Sequence, residues 1–225
     1  AVGYQTLVDF YGPVPFTESI DGNILQPAYD EEAVVYAGII SMLTEASNLL
    51  ASGTGVITGS SDLFYGGDVT KWMKLANSLK FRALMRISKS SGNQNSELQA
   101  LMGKMFTSNA DNAQLIYLGA SPDANPIWET IVDGNRAEYK INSKVVEILT
   151  DLNDGRLEVY AGVNASGDIV GKPSGFGAQT TLPNEGLGYT YSNISPLGDK
   201  YLTATLPGVL MSYSQLSFLI AQAAN

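Results

Sequence analysis

Two stretches of 3.6-residue apolar periodicity, at about 30–51 and 70–89, constrain what this chain can fold into more than any other feature. In the first, Val35, Ile39, Met42, Ala46 and Leu49 recur at helical spacing. Asp30 is placed as its N-cap, with Glu31 and Glu32 in the first turn, where the helix dipole favours acids. The second begins after Asp68, another good N-cap, and sets Trp72, Leu75, Leu79 and Ala83 on one face. A polar, glycine-rich connector, SGTGVITGSSD, joins the two. Two such helices joined by a loop predict an antiparallel hairpin, which buries its apolar faces internally or against a neighbouring pair.

Further helices are expected at about 96–108, at 139–153 and from about 211 to the end. In the second of these Tyr139, Val145, Val146, Ile148 and Leu149 supply the apolar face; in the last, Leu216, Phe218, Leu219 and Ala223 do. The stretch 154–206 is different. It holds nine glycines and three prolines, a density that permits turns and short strands but no long helix. The opening YGPVPFTESIDGNILQPAYD, with Pro13, Pro15 and Pro27, reads as extended chain with turns. The fold class is therefore mostly α, with one long irregular region containing short strands.

Composition excludes several chemistries. With no histidine and no cysteine, the chain has no disulfide, thiolate nucleophile, Cys/His zinc site or Ser-His-Asp triad. Thirteen basic residues, a net charge of −9 and a pI near 4.4 argue against nucleic-acid binding. No run approaches 18 consecutive apolar residues, so no membrane-spanning helix is expected. The start lacks an initiator Met and a signal-like h-region, and the last helix has no stop signal, so the chain reads as processed or as a fragment.

Charge is uneven along the chain. Residues 1–70 carry 9 acids and no base, whereas Lys71, Lys74, Lys80, Arg82, Arg86 and Lys89 follow with no acid between them. Lys74, Ser78, Arg82 and Arg86 fall at i,i+4 spacing on the second helix. This stripe reads as a solvated face pairing with the acidic first segment, in preference to a face for an anionic ligand.

Local motifs are unproductive. GTGVITG lacks dinucleotide-loop spacing, GDIVGKP is one residue short of a P-loop, and DLNDG has its glycine one position early for a calcium loop. A carboxylate pair is the remaining route to catalysis, but none of the 22 acids sits in a distinctive local pattern. Aromatic residues are more informative. Trp72, Phe81 and Tyr36 lie in periodic helices and are assigned to the core. Trp128 follows Asn125-Pro126 in a loop, and Phe176, Tyr189 and Tyr191 lie in the glycine-rich region. An exposed ring can stack on the apolar face of a sugar. Loop position and chemistry thus select Trp128, Tyr189, Tyr191 and Phe176 as stacking rings, with Asn135 and Arg136 as hydroxyl partners.

Several separated segments resemble the SusD/RagB-type nutrient-binding lipoproteins, in particular their SusD-like subgroup. YGPVPFTES at 11–19 resembles the family's "YGDVPYTEA", and PAYDEEAVVYAGIISMLTEASNLL its "P-x-Y-D … I-Y … L-x-E-A" helix. DLFYGGDVTKWMKLANSLKFRALMRIS at 62–88 resembles the most specific stretch, "D-x-x-Y-x-G-D-x-x-K-W-x-K-F-A-N-S-L-K-L-R". LTDLNDGRLEVYA resembles the "L-x-x-x-x-D-P-R-L-x-x-Y-A" segment, followed by the turn GKPSG. LPGVLMSYSQLSFLIAQAA resembles "P-x-x-L-M-T-Y-A-E-x-x-F-L-x-A-E-A". The chain departs from the pattern at Gly155, where Pro is usual, and at Gln215 and Gln222, where Glu is common.

The resemblance implies TPR-like helix pairs carrying an irregular binding region. It implies one partial domain over 1–225, with helical scaffold at about 28–110, 138–153 and 207–225 and loop-rich regions at about 111–137 and 154–206. It also implies a longer protein, held on the outer surface of the outer membrane by an N-terminal lipid not present in this chain. Such a protein caps a SusC-like TonB-dependent transporter and captures glycans or oligosaccharides without catalysis, metal or organic cofactor. Two other functions compete: a carboxylate-dependent hydrolase of the same polymers, and a protein-interaction scaffold that binds no sugar.

Overall fold

The computed structural model describes residues 1–53, 59–92, 94–136, 138–175 and 192–224. In chain order its elements are α1 (Val2–Tyr11), α2 (Glu32–Ser52), α3 (Val69–Ile87), α4 (Asn95–Leu101), β1 (Ala113–Leu115), α5 (Pro126–Trp128), α6 (Ser143–Asp151), α7 (Leu157–Tyr160), β2 (Gly208–Met211) and α8 (Tyr213–Ala223). The fold is mostly helical, as expected, and β1 pairs with β2 in a two-stranded sheet. The chain falls into two compact units, 1–115 with 209–225, and 116–208.

In the first unit α2 and α3 pack against each other as the expected helix pair, with α1 on α2 and α8 on α3. Val35 and Ile39 from α2, Leu75, Phe81 and Leu84 from α3, and Met211 and Leu216 are all buried together. Each such side chain stabilises the unit by about 1.5–3 kcal/mol relative to exposure. Leu49, placed on the apolar face of α2 by its spacing, is exposed instead, because the core contact ends at Leu43. By length and mean hydropathy (1.4) α2 does suit a membrane crossing, although it has no uninterrupted apolar run of that length. Its Val35, Tyr36, Ile39 and Leu43 are buried in the core.

Three aspartates organise the loops around this pair. Asp30 does not cap α2; Glu31 holds the N-cap position without a side-chain bond. The Asp30 carboxylate turns back and accepts from the amides of Phe16 (3.0 Å) and Thr17 (2.7 Å) and from the Thr17 hydroxyl (3.0 Å). Three loop donors outcompete the single helix amide that a cap would satisfy. Asp62 accepts from the amides of Phe64 (3.0 Å), Tyr65 (3.2 Å) and Gly67 (2.8 Å) and from the Trp72 indole nitrogen (2.7 Å). Asp68 does cap α3, accepting from the Lys71 amide. Asp111 gathers the Thr107 amide (2.7 Å), the Thr107 hydroxyl and the Lys74 ammonium (2.9 Å each). The helix expected at 96–108 stops at Leu101, because Gly103 takes a left-handed φ of 77° and Asp111 folds the following turn.

α1 has no counterpart in the periodicity analysis. It has no side-chain cap, and Gly12 at φ 73° ends it with its amide on the Val8 carbonyl. Contacts distant in sequence hold it: Arg82 donates twice to the Gln5 amide oxygen (3.1 and 2.8 Å), and Tyr36 and Arg86 both donate to Asp9. The polar stripe of α3 is consequently not a solvated face. Ser78 is fully buried, donating to the Lys74 carbonyl (2.7 Å) and accepting from the Phe106 amide (3.1 Å). Arg86 does pair with the acidic first segment, through Asp9.

The second unit is a set of turns and bridges around Ala124, Ile141, Leu149, Ala161 and Ile194. Of the apolar face expected for 139–153, only Leu149 is buried; Tyr139, Val145 and Ile148 are exposed, and Val146 is half-buried. Strand-like pairings replace helix packing here. The Ser195 amide bonds the Val170 carbonyl (2.8 Å) and the Ile141 amide bonds the Ser195 carbonyl (3.2 Å). The buried Ser195 hydroxyl joins the same strands, accepting from the Val170 amide at 2.9 Å. Glycine is required where backbones touch. A Cβ on Gly198 would lie 2.0 Å from the Val159 carbonyl oxygen, and one on Gly171 2.3 Å from the Ser143 Cα.

Candidate functional site

Three of the six sequence-selected site residues, Trp128, Asn135 and Arg136, lie on one short segment of the second unit. Asn125 begins it. Its side-chain oxygen accepts from the Ile127 (2.9 Å) and Trp128 (3.4 Å) amides, and its side-chain nitrogen donates to the Leu206 carbonyl (2.8 Å). Pro126 at the first helical position then starts α5. Trp128 therefore closes a capped helical turn, where the sequence reading expects a loop. A π-helical turn, Glu129–Asp133, continues it and ends as the Gly134 amide bonds the Glu129 carbonyl at 2.8 Å. Turns of this kind often occur at functional sites. A Cβ on Gly134 would lie 2.7 Å from the Thr130 carbonyl oxygen, so the turn needs a glycine there.

Trp128 is half-buried. Asn135, at φ 49°, and Arg136 are exposed just beyond the turn, and the Arg136 amide folds back on the Ile131 carbonyl (3.1 Å). The Arg136 guanidinium pairs with Glu138, which raises the guanidinium's pKa further; the Glu138 carboxyl is lowered first by a hydrogen bond from its own backbone amide and then by Arg136. Ile127 and Val132 are also exposed on this segment. The segment thus carries a half-buried ring, exposed apolar side chains, an amide and a guanidinium, the kinds of group that hold a sugar ring by its face and its hydroxyls. Phe176, Tyr189 and Tyr191 lie outside the described residues. Tyr201, another ring of the glycine-rich region, packs edge-on against Tyr160 at 5.7 Å.

One feature of the segment escapes sequence reasoning. Glu129 Oε1 is buried directly after Trp128 and has no hydrogen-bond partner among the described residues. Nothing in its local pattern separates it from the other acids. Among the described residues no group of three acids is placed to hold a metal ion.

The family profile described as "Starch-binding associating with outer membrane", SusD-like, matches residues 1–225. A SusD homologue from Bacteroides fragilis superposes with a TM-score of 0.78 at 25% identity, over 98% of this chain and 50% of its own. A SusD-like protein from Bacteroides thetaiotaomicron gives 0.78 at 29%, over 99% and 45%. A chitin-binding protein gives 0.73 at 26%, over 99% and 49%. Among curated proteins no significant sequence match is found. The chain belongs to the SusD-like family. It spans about half the length of these solved relatives.

Proposed function

We propose that this chain belongs to a non-catalytic cell-surface protein that binds glycans or oligosaccharides and delivers them to a SusC-like TonB-dependent transporter. A lipid on the full-length protein holds it to the outer face of the outer membrane. The observation that carries the reading is the match of the whole chain to a family described as starch-binding and associated with the outer membrane. The solved relative that is a chitin-binding protein supports a saccharide ligand. The Trp128 segment supplies the chemistry: the ring stacks, and Asn135 and Arg136 bond hydroxyls. Phe176, Tyr189 and Tyr191 extend that platform. The two compact units are parts of one family domain.

Native affinity gels of the full-length protein against plant, host and microbial polysaccharides test this. One glycan class retards the protein, and Trp128→Ala weakens that retardation about tenfold while the circular dichroism spectrum is retained. The polymer recovered from the gel carries no new reducing ends. Their appearance would establish a hydrolase, and no retardation by any glycan would overturn the reading. Co-purification with the transporter tests delivery.

A further inference from the structure

In the first unit α1, α3 and α8 enclose a groove of about 770 Å³, within the size range of small-ligand sites. Its lining is cationic: Arg82, Arg86 and Lys89 from α3 and its C-terminal end face a single acid, Asp9. Asp9 is already engaged by Arg86 and by the Tyr36 hydroxyl. Among the described residues both hydrogen bonds of Arg82 end on the neutral oxygen of Gln5, and no carboxylate is bonded to it directly. Lys89 is exposed and has no ion pair among the described residues. From α8 the groove receives Gln215 and Gln222, two amides that add hydrogen-bonding capacity but no negative charge. Phe10 stands at the same groove, 79% exposed.

We propose that this groove is a second binding site, for the carboxylate of an acidic saccharide. Arg82 and Lys89 take the carboxylate, whose planar pair of oxygens matches the edge of the guanidinium that Gln5 leaves open. Gln215 and Gln222 meet hydroxyls, and Phe10 offers its ring to the sugar face. That the ligand is a saccharide rests on the glycan-binding reading. That it is a carboxylate rests on the groove alone, which shares no residue with the Trp128 segment.

The experiment is titration calorimetry of the full-length protein with an oligogalacturonate and with a neutral oligogalactose of equal length. The oligogalacturonate binds more tightly, and its advantage shrinks as salt rises from about 0.05 to about 0.5 M. Gln215→Glu with Gln222→Glu restores negative charge opposite the arginines and weakens oligogalacturonate binding about tenfold or more. Gln215 and Gln222 are both exposed on α8, and an unchanged circular dichroism spectrum separates this loss from unfolding. Lys89→Gln, on an exposed side chain, lowers the same affinity in a second way.

Equal affinity for the two oligosaccharides overturns the groove proposal and leaves the glycan reading standing. Acidic binding that is indifferent to the glutamine substitutions but lost in Trp128→Ala does the same. If neither oligosaccharide binds and no glycan retards the protein in gels, both fall together.

Discussion

The Asp62 carboxylate is the organising centre of the most recognisable motif in the chain, and its removal tests whether that motif serves folding or ligand capture. Asp62→Ala deletes four hydrogen bonds to a charged acceptor. Bonds of this kind stabilise by roughly 1.5–3 kcal/mol each when no substitute is available. Water replaces part of the loss, because Asp62 is itself only half-buried and the Phe64 and Tyr65 amides lie in a surface turn. The two shortest bonds, from Gly67 at 2.8 Å and the Trp72 indole at 2.7 Å, dominate. The expected net loss is about 2–4 kcal/mol. The chain has two tryptophans, so in a Trp128→Phe background fluorescence reports Trp72 alone during urea unfolding. The midpoint should fall by roughly 1–2 M with the slope unchanged. A double-mutant cycle with Trp72→Phe, followed by circular dichroism because that arm lacks the reporting tryptophan, should show a coupling of about 1–2 kcal/mol. Glycan retardation, measured with Trp128 intact, should match the parent. A variant as stable as the parent to within about 0.5 kcal/mol, yet unable to bind glycan, would refute the assignment of Asp62 to the scaffold.

Two further outcomes are expected. Burial pushes the Asp111 carboxyl up, but hydrogen bonds from the Thr107 amide, Lys74 and the Thr107 hydroxyl outweigh it and hold it down at about 2. A depressed carboxylate contributes stability in full above its unfolded value and loses it as pH falls through the folded one. Unfolding of the first unit should therefore become easier between about pH 4 and pH 2, and Asp111→Asn should flatten that slope in urea titrations. Gly198→Ala places a Cβ 2.0 Å from the Val159 carbonyl oxygen and should destabilise the second unit by at least about 2 kcal/mol. Gly155→Ala meets nothing within 4 Å and should be neutral to within about 0.5 kcal/mol, which thermal or chemical melts of the pair will check.

The elements legible in the sequence are those whose stability is local. α2, α3 and α8 show 3.6-residue periodicity, and Asp68 caps α3 as its position predicts. α1 is illegible because it includes Gly3 and β-branched Thr6 and Val8, lacks a cap, and is held by Arg82 and Arg86 across 77 positions. The stripe on α3 misleads for the same reason. Its i,i+4 polar spacing matches a solvated face, and only the folded chain reveals that Ser78 and Lys74 serve Phe106 and Asp111. At the candidate site, Trp128 is visible as a ring outside the periodic segments. The Asn125 cap, the π turn and the Glu129 oxygen that has no partner among the described residues depend on backbone geometry that no residue pattern encodes.

Why the family is readable while its ligand is not follows from what the aspartates do. Asp30, Asp62 and Asp111 each bind two or three amides of a neighbouring loop, so each fixes irregular backbone without regular hydrogen-bonded structure. Backbone amides are the same whatever side chains the loop carries. A carboxylate that holds them therefore constrains its own identity and its spacing, and leaves the intervening positions free. Residues that recognise a ligand obey no such spacing rule, because a ring can reach a sugar from any turn that presents it. Trp128 is positioned by Asn125 and Pro126 in the second unit, whereas Asp30, Asp62 and Asp111 all lie in the first. Substitution at Trp128 should thus change what is bound and leave the first unit's stability alone, while substitution at Asp62 should do the reverse.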